Sequence, residues 1–172
     1  LSSIVWGSAD GRALWVARYT NGDTYWAVKD DPAAETINEW RLESDGAVSE
    51  EFRSIPWVLF DRPWFKSPCE AGGPAWTEPF VWAGGDQLGE PTLGISYGIP
   101  IYHENGTLHG VVDADLSLND LSDFLSSINT GRGGVSTIVD GRSRILAASK
   151  EIDFISPEGE RHLLSESSDL RV

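Results

Sequence analysis

Five Asx-Gly dipeptides punctuate this chain, and they constrain its fold more than any other feature of the sequence. They are Asp10-Gly11, Asn21-Gly22, Asp45-Gly46, Asn105-Gly106 and Asp140-Gly141. Such dipeptides favour the tight turns of β-hairpins, because both residue types tolerate a positive φ angle. Aromatic and β-branched runs lie beside them, as in Leu14–Tyr19 and Thr24–Val28. The pattern predicts antiparallel strands joined by hairpins.

The remaining segments predict more strands and one clear helix. Residues 117–128 carry apolar side chains at helical spacing, which predicts an α-helix, whereas the polar residues 32–37 predict a loop or a short helix. Further strands are predicted at 41–44, 93–102, 107–116, 135–139 and 144–148. The strand–turn–strand pattern recurs at both ends of the chain, which favours two related modules.

Composition excludes several classes of function. The 172 residues carry a formal net charge of −14, so nucleic acid and anionic lipid are unlikely partners because phosphate binding needs a basic surface. A single cysteine, Cys69, excludes an internal disulfide, and no cofactor motif or metal-ligand spacing is present. No run of 18 apolar residues occurs. Because the chain also lacks any methionine, we expect it to be a piece of a longer protein.

The stretch DRPWFKSPCEAGGPAWTEPFVW, residues 61–82, has the composition of a functional loop. It is rich in proline and glycine, yet it combines several tryptophans with one arginine. Long loops in compact domains are usually functional or disordered, and this density of aromatic side chains argues against disorder. We therefore predict a partly helical loop that crosses one face of the sheet.

Five segments in order carry a family resemblance: Asp61-Arg-Pro-Trp-Phe65, Trp76-Thr-Glu-Pro-Phe80, Gly98-Ile-Pro-Ile-Tyr102, Gly110-Val-Val-Asp-Ala-Asp-Leu-Ser-Leu118 and Ile138-Val-Asp-Gly141. Together they resemble the double Cache (dCache) sensor domain of bacterial transmembrane receptors. The resemblance implies an α/β (α+β) fold of tandem PAS-like modules with central antiparallel sheets.

The resemblance also implies a domain plan and a cellular setting. Residues 1–118 would form the membrane-distal ligand-binding module, 119–130 a connecting helix, and 131–172 a truncated membrane-proximal module. The family's long N-terminal helix is missing here. The domain would be the extracytoplasmic (periplasmic) part of an inner-membrane chemoreceptor, histidine kinase or nucleotide cyclase. It would not be an enzyme, and a homodimer is one assembly it allows.

Matching positions of the family's amino-acid-binding motif nominate four site residues. Arg62 and Trp64 match the pair that binds a ligand carboxylate. Phe65 stands where tyrosine is usual, and Trp57 stands where an upstream tyrosine is found. The planar guanidinium of Arg62 suits a carboxylate, although a structural arginine paired with Asp61, Glu78 or a backbone carbonyl is an equal alternative.

Three further residues complete the predicted site. Asp115 matches an amine-binding aspartate, Trp82 stands where another aspartate is found, and Tyr97 lies on a strand that borders the pocket. Aromatic rings attract cations, and a methylated ammonium needs no acceptors. We therefore expect a small-molecule ligand that is an amine, an amino acid or another zwitterion, or a quaternary ammonium compound held in an aromatic cage.

Each of these interpretations has an alternative. The rings of the predicted cage are also ordinary core residues, because Trp and Phe bury the most apolar area. A second alternative is an orphan sensor that docks a periplasmic binding protein through exposed aromatic residues. A carbohydrate-binding module is a third alternative. It requires an exposed row of tryptophans, whereas a sensing pocket encloses them.

Overall fold

Consecutive hairpins build one antiparallel sheet in the first part of the chain. The computed structural model describes residues 2–83, 85, 92–128, 130–131, 134–150 and 163–165. The chain divides into two compact units, Leu1–Ser117 and Leu118–Val172. The strands of the first unit are β1 (Ser3–Ser8), β2 (Ala13–Arg18), β3 (Thr24–Lys29), β4 (Thr36–Leu42), β5 (Val48–Pro56), β6 (Ala75–Trp76), β7 (Phe80–Val81), β8 (Leu93–Tyr102) and β9 (Leu108–Ser117).

The strand order places the N-terminal strand at the centre of this sheet. Among the described residues the order is β5-β4-β3-β2-β1-β9-β8-β6, and β7 also pairs with β8. The first five strands form a meander, as the Asx-Gly turns predict. The pairing of β1 with β9 brings Ser3 opposite Asp115 and Val5 opposite Asp113. This contact between distant parts of the sequence creates the floor of the site described below.

Two predictions about strand positions are wrong. The loop or short helix expected over residues 32–37 ends before Thr36, where β4 begins. The strand expected at 41–44 is not a separate strand, because only its first two residues are in a strand and they form the end of β4, which stops at Leu42. The sequence analysis also missed β1 and β5. The many acidic and polar residues of β4 and β5 conceal strands in which only alternate side chains, such as Ile37 and Glu39, are buried.

One face of the sheet carries the core, and the other face is exposed. Alternation is clearest in β2, where Ala13, Trp15 and Ala17 are buried and Leu14 and Val16 are exposed. The buried face packs against the segment that follows β5. The core residues are Val5, Ala13, Trp15, Ala17, Ala27, Ile37, Ile55, Trp57, Leu59, Trp64, Phe65 and Val111.

The predicted crossing segment is a short helix that lies on the buried face. After a 3-10 turn at Leu59–Asp61, helix α1 runs from Pro63 to Ala71. Pro63 suits the first helical turn, where its missing N–H has no partner to lose, and Gly72 ends the helix with a left-handed φ of 66°. Gly98 of β8 lets α1 approach, because a Cβ there would lie 2.8 Å from the carbonyl oxygen of Trp64.

The second unit contains the predicted helix and the last hairpin. Helix α2 spans Leu118–Ser127, and strands β10 (Thr137–Val139) and β11 (Ile145–Ala148) pair antiparallel. Ser126 Oγ donates a hydrogen bond to the carbonyl oxygen of Ser149 at 3.0 Å, which ties α2 to the end of the hairpin. The α+β class predicted from the sequence is confirmed. Within the described residues, no helix combines the length and hydropathy needed to cross a bilayer.

Candidate ligand-binding site

A cavity lies on the buried face of the first unit, beside the start of α1. Its volume is about 50 Å³, which is room for a few water-sized groups. Five of the seven predicted site residues line it, namely Trp57, Arg62, Trp64, Trp82 and Asp115. The structure therefore brings together residues that are separated by more than fifty positions in the sequence.

Arg62 immediately precedes α1, and it lines the cavity. Its guanidinium carbon lies 4.7 Å from the ring centroid of Trp57, a cation–π contact. Among the described residues its buried Nε has no hydrogen-bond partner, and Asp61 is instead 3.5 Å from Lys66 Nζ. Burial lowers the pKa of Arg62, which the charge of Asp61 opposes, yet an arginine keeps its charge in proteins. The site thus contains a partly buried cation with free donor capacity.

Two cavity-lining indoles add further unpaired donors. The Nε1 atoms of Trp57 and Trp82 are buried and, within the described part of the chain, receive no acceptor. Trp82 is seated by Gly94, where a Cβ would lie 2.5 Å from the indole. Buried donors are normally satisfied, and each unpaired one costs about 1–3 kcal/mol. Together with Arg62 Nε, these atoms are unpaired donors among the cavity-lining residues that acceptor groups of a ligand would satisfy.

The acidic end of the cavity is Asp115 on β9. Its side chain is 7% exposed, and its two oxygens accept hydrogen bonds from the hydroxyls of Ser3 and Ser96. Burial raises the pKa of Asp115, and these two hydroxyls oppose the rise. Hydroxyl donors stabilise the ionised form of a carboxylate. Asp115 is therefore the group in this cavity suited to hold a negative charge beside a cationic ligand group.

Asp113 lies two residues earlier on the same face of β9. It is 1% exposed, and within the described residues neither of its carboxyl oxygens has a hydrogen-bond donor. Burial, reinforced by the neighbouring Asp115, raises the pKa of Asp113 to about 9. Of the two coupled acids, Asp113 is therefore the one that keeps its proton at neutral pH.

Phe65 and Tyr97 are not brought to the cavity. Phe65 is buried in the core and meets Trp64 edge-on, with ring centroids 5.8 Å apart. Tyr97 pairs with Ala114 rather than Asp115, so its side chain lies on the opposite face of the sheet, 5.0 Å from the ring of Trp76. Neither residue is among those that line the cavity. The prediction that Tyr97 forms the pocket wall placed it on the wrong face.

Sequence reasoning missed a second aromatic wall, formed by β2. Trp15 and Tyr19 line the cavity, together with Ser3 of β1. Alternation along β2 would have placed Trp15 inward, but no local pattern tells which end of an inward face borders a cavity. Within the described residues no cluster of three or more histidine, cysteine, aspartate or glutamate side chains could hold a metal ion.

The enclosure of the tryptophans bears on the alternatives. Trp57 and Trp64 are 5% and 2% exposed, whereas a carbohydrate platform needs exposed rings in a row. Arg62 already occupies one face of Trp57, so that face is not free for a ligand cation. The cavity is thus lined both by a guanidinium and indole N–H donors and by a carboxylate, a set of groups that complements a small zwitterion.

A protein-family model matches most of this chain. The family model described as "Methyl-accepting chemotaxis protein-like, first PDC sensor domain" matches residues 19–123. That match covers the strands from β3 to β9, α1 and most of the cavity-lining residues.

Solved structures give the same fold. A structure titled "Methyl-accepting Chemotaxis protein X" is 21% identical, with a TM-score of 0.53, and the match covers 91% of this chain and 56% of that chain. This likeness shows a PAS-like sensor fold.

Two further structures are similar at a lower level. The ligand-binding domain of the Pseudomonas aeruginosa amino acid chemoreceptor PctB in complex with L-Gln is 21% identical, with a TM-score of 0.47, and the match covers 84% of this chain and 44% of that chain. The extracellular domain of the putative histidine kinase mmHK1S-Z2 is 20% identical, with a TM-score of 0.48, and the match covers 86% of this chain and 50% of that chain. The chain spans about half the length of these structures.

Proposed function

The chain belongs to the family of methyl-accepting chemotaxis protein-like PDC sensor domains, and from this premise we propose that it senses a small zwitterion for a membrane-anchored receptor. The sensing domain is extracytoplasmic and has no enzymatic activity of its own. The parent protein is a chemoreceptor, a histidine kinase or a nucleotide cyclase. In this proposal the chain has the double Cache arrangement, with module 1–118, connecting helix 119–130 and module 131–172.

The observation that carries this proposal is that unpaired donors and a buried acid line the same cavity. Arg62 Nε and the indole nitrogens of Trp57 and Trp82 have no acceptor among the described residues. A ligand carboxylate supplies acceptors for such donors, and a guanidinium binds it with two hydrogen bonds. Asp115 receives the positively charged group of the same ligand. A ligand that lacks either charge leaves one end of the cavity unsatisfied.

Ring faces and the Asp115 carboxylate offer two ways to recognise the ligand's positive group. A quaternary ammonium is attracted by ring faces and needs no hydrogen-bond acceptor, whereas a primary ammonium needs acceptors of the kind that Asp115 provides. Both kinds of zwitterion place a carboxylate at Arg62. The proposal therefore includes amino acids and betaines. Comparing the affinities of the two shows how much the aromatic rings contribute to binding relative to Asp115.

Signal transmission requires that the ligand bind one conformation of the domain more tightly than another. In the proposed mechanism the cavity closes around the ligand, with α1 and the segment around Trp82 moving onto the sheet. Arg62 and Trp82 lie on these two segments, so a carboxylate bridging them favours the closed form.

A thermal-shift and calorimetric panel tests the proposed function. It contains the L-amino acids, γ-aminobutyrate, putrescine, choline, glycine betaine and acetate, measured with the intact chain. A zwitterion is expected to raise the melting temperature more than choline or acetate. Arg62→Lys is expected to weaken its binding at least about tenfold, because lysine cannot form the bidentate contact. Asp115→Asn is expected to weaken zwitterions and leave acetate unchanged.

Arg41→Lys, an exposed arginine on β4 with half of its side chain accessible, serves as the matched control and is expected to change nothing. Equal binding of choline and glycine betaine, with no effect of Arg62→Lys, would refute a carboxylate site at Arg62.

The docking of a partner protein is a second candidate, favoured by an exposed aromatic pair. Trp76 is 56% exposed and packs on Tyr97 on the face opposite the cavity. If this surface carries the signal, the small-molecule panel gives no stabilisation. Trp76→Ala would then abolish receptor output while leaving the fold intact.

A further inference from the structure

A buried carboxylate on β4 organises one side of the molecule. Glu39 is completely buried, and three side chains donate hydrogen bonds to it. Trp15 Nε1 lies 3.1 Å and the Tyr19 hydroxyl 2.7 Å from Oε1, and Arg53 Nε lies 2.7 Å from Oε2. Arg53 Nη2 also donates to the Tyr19 oxygen at 2.8 Å. All the partners of this carboxylate come from β2, the residue after it, and β5.

The protonation of this network is fixed by its surroundings. Burial, with the adjacent Glu39 carboxylate, raises the pKa of Tyr19 well above its ordinary value. The phenol therefore keeps its proton and donates it to Glu39 while its oxygen accepts from Arg53. Because three donors bind its two oxygens, the Glu39 carboxylate is held in one orientation.

A chain of aromatic contacts connects this network with the cationic end of the cavity. Trp15, whose indole edge is bound to Glu39, packs on Trp57 with ring centroids 4.8 Å apart. Arg62 lies over the ring of Trp57 at 4.7 Å. Trp15 and Trp57 are 6% and 5% exposed, and close-packed interiors transmit such displacements because they contain few voids. The orientation of Trp15 thus determines where Trp57, and with it Arg62, can lie.

Stability alone does not account for an ion pair in this place. A buried ion pair is often no more stabilising than apolar side chains of the same volume, because desolvation offsets the attraction. Its hydrogen bonds, in contrast, have fixed directions and hold their partners in one arrangement. Glu39 does this for an indole that borders the cavity, although Glu39 itself is not among the residues that line it.

We propose that Glu39 is a positioning residue for Arg62, acting through Trp15 and Trp57. The purpose of that positioning, to present the guanidinium to a ligand carboxylate, rests on the proposed function. The positioning itself does not, so it can be measured without any ligand. Failure of the positioning proposal is thereby distinguished from failure of the proposed function.

The test uses the side-chain ¹H–¹⁵Nε resonance of Arg62 in the intact, isotope-labelled chain. A proton above an indole ring is displaced upfield by the ring current, and Arg62→Lys identifies the resonance by removing it. In Glu39→Gln, one amide replaces the carboxylate that holds Trp15 and Arg53. The upfield displacement of the Arg62 resonance is expected to shrink by at least half, together with a shift of the Trp57 indole N–H. Glu43→Gln, an exposed glutamate just after β4, is the matched control and is expected to leave both resonances in place.

A second variant guards against failure to fold. Loss of one partner from a buried ion pair is strongly destabilising, whereas replacement of both by apolar residues is often neutral. Glu39→Met combined with Arg53→Met removes the acceptor of Trp15 and leaves no uncompensated charge, and the same displacement of the Arg62 resonance is expected. An unchanged Arg62 resonance in either folded variant overturns the proposal and shows that Glu39 serves β2–β5 packing alone.

Discussion

Two neighbouring aspartates show how a single residue sets the charge of the site. Asp113 and Asp115 lie on the same face of β9, and both are buried. Ser3 and Ser96 donate their hydroxyl hydrogen bonds to Asp115, whereas no donor reaches Asp113 among the described residues. Both cannot ionise cheaply in one apolar place. Of the two, Asp115 beside the cavity is therefore the acid that ionises more readily, and Asp113 is the one that keeps its proton.

The pH dependence of stability tests this assignment. The pKa of Asp113 is raised from the ordinary 3.8 to about 9 in the folded chain. Between these values the unfolded chain has released a proton that the folded chain still binds, so this residue makes the free energy of unfolding fall as pH rises. Asp113→Asn is expected to remove that slope and to be more stable than the native chain at pH 8, by about 1 kcal/mol or more.

Urea unfolding at several pH values between 4 and 9 measures the difference. Residues that do not contact Asp113 are the same in both chains, so their contributions cancel in the comparison. Parallel curves for the native chain and Asp113→Asn would show that Asp113 is ionised in the fold at neutral pH.

At this scale the sequence predicted the chemistry of the site better than its geometry. The family resemblance nominates Arg62, Trp64 and Asp115 because the motifs that carry it are local. Tyr97 was misplaced because neighbouring strand residues point to opposite faces, so a shift of one residue moves a side chain from the cavity to the far side. Only the register of β8 with β9, in which Ser96 opposes Asp115, decides between them.

At the scale of elements, the site depends on how closely α1 lies on the sheet. A Cβ on Gly98 would be 2.8 Å from Trp64 O and from Pro68 Cγ, so helix and strand are in contact at this point. Arg62 immediately precedes α1 and Trp64 lies in its first turn. A displaced helix therefore carries the cationic end of the cavity with it.

Gly98→Ala tests this dependence. The added methyl group is expected to cost about 1–3 kcal/mol of stability, the usual effect of overpacking, and to weaken ligand binding even though residue 98 does not line the cavity. Gly73→Ala, where an added Cβ would meet nothing within 4 Å, is the control. Urea unfolding and calorimetry provide the two measurements, and equal behaviour of the two variants would show that α1 does not depend on this contact.

Hairpins were easier to predict than the edge of the sheet. Turn dipeptides and aromatic runs identified β2, β3, β8 and β9, because each of these signals lies within a few residues. β5, with the sequence VSEEFRSIP, was missed because its acidic residues are typical of exposed loops. The place of β5 is set by its pairing with β4, in which Arg53 lies opposite Glu39. No local sequence pattern reports that pairing.

At the scale of the whole molecule, the described residues that line the cavity all belong to the first unit. They come from β1, β2, the segment from Trp57 to Trp64, the segment around Trp82, and β9. The pairing of β1 with β9 closes this arrangement across more than one hundred residues. The cavity thus requires both ends of the first unit, and hairpin signals alone cannot show that these ends are neighbours.

The most direct test of the account is to observe the unpaired donors as a ligand binds. The Nε–H resonance of Arg62 and the indole N–H resonances of Trp57 and Trp82 would be recorded in the intact chain during titration with the most stabilising zwitterion of the panel. Because hydrogen bonding to a carboxylate deshields such protons, all three are expected to move downfield together and to saturate at one ligand per chain. Binding that leaves these three resonances unmoved would contradict the cavity as the sensing site.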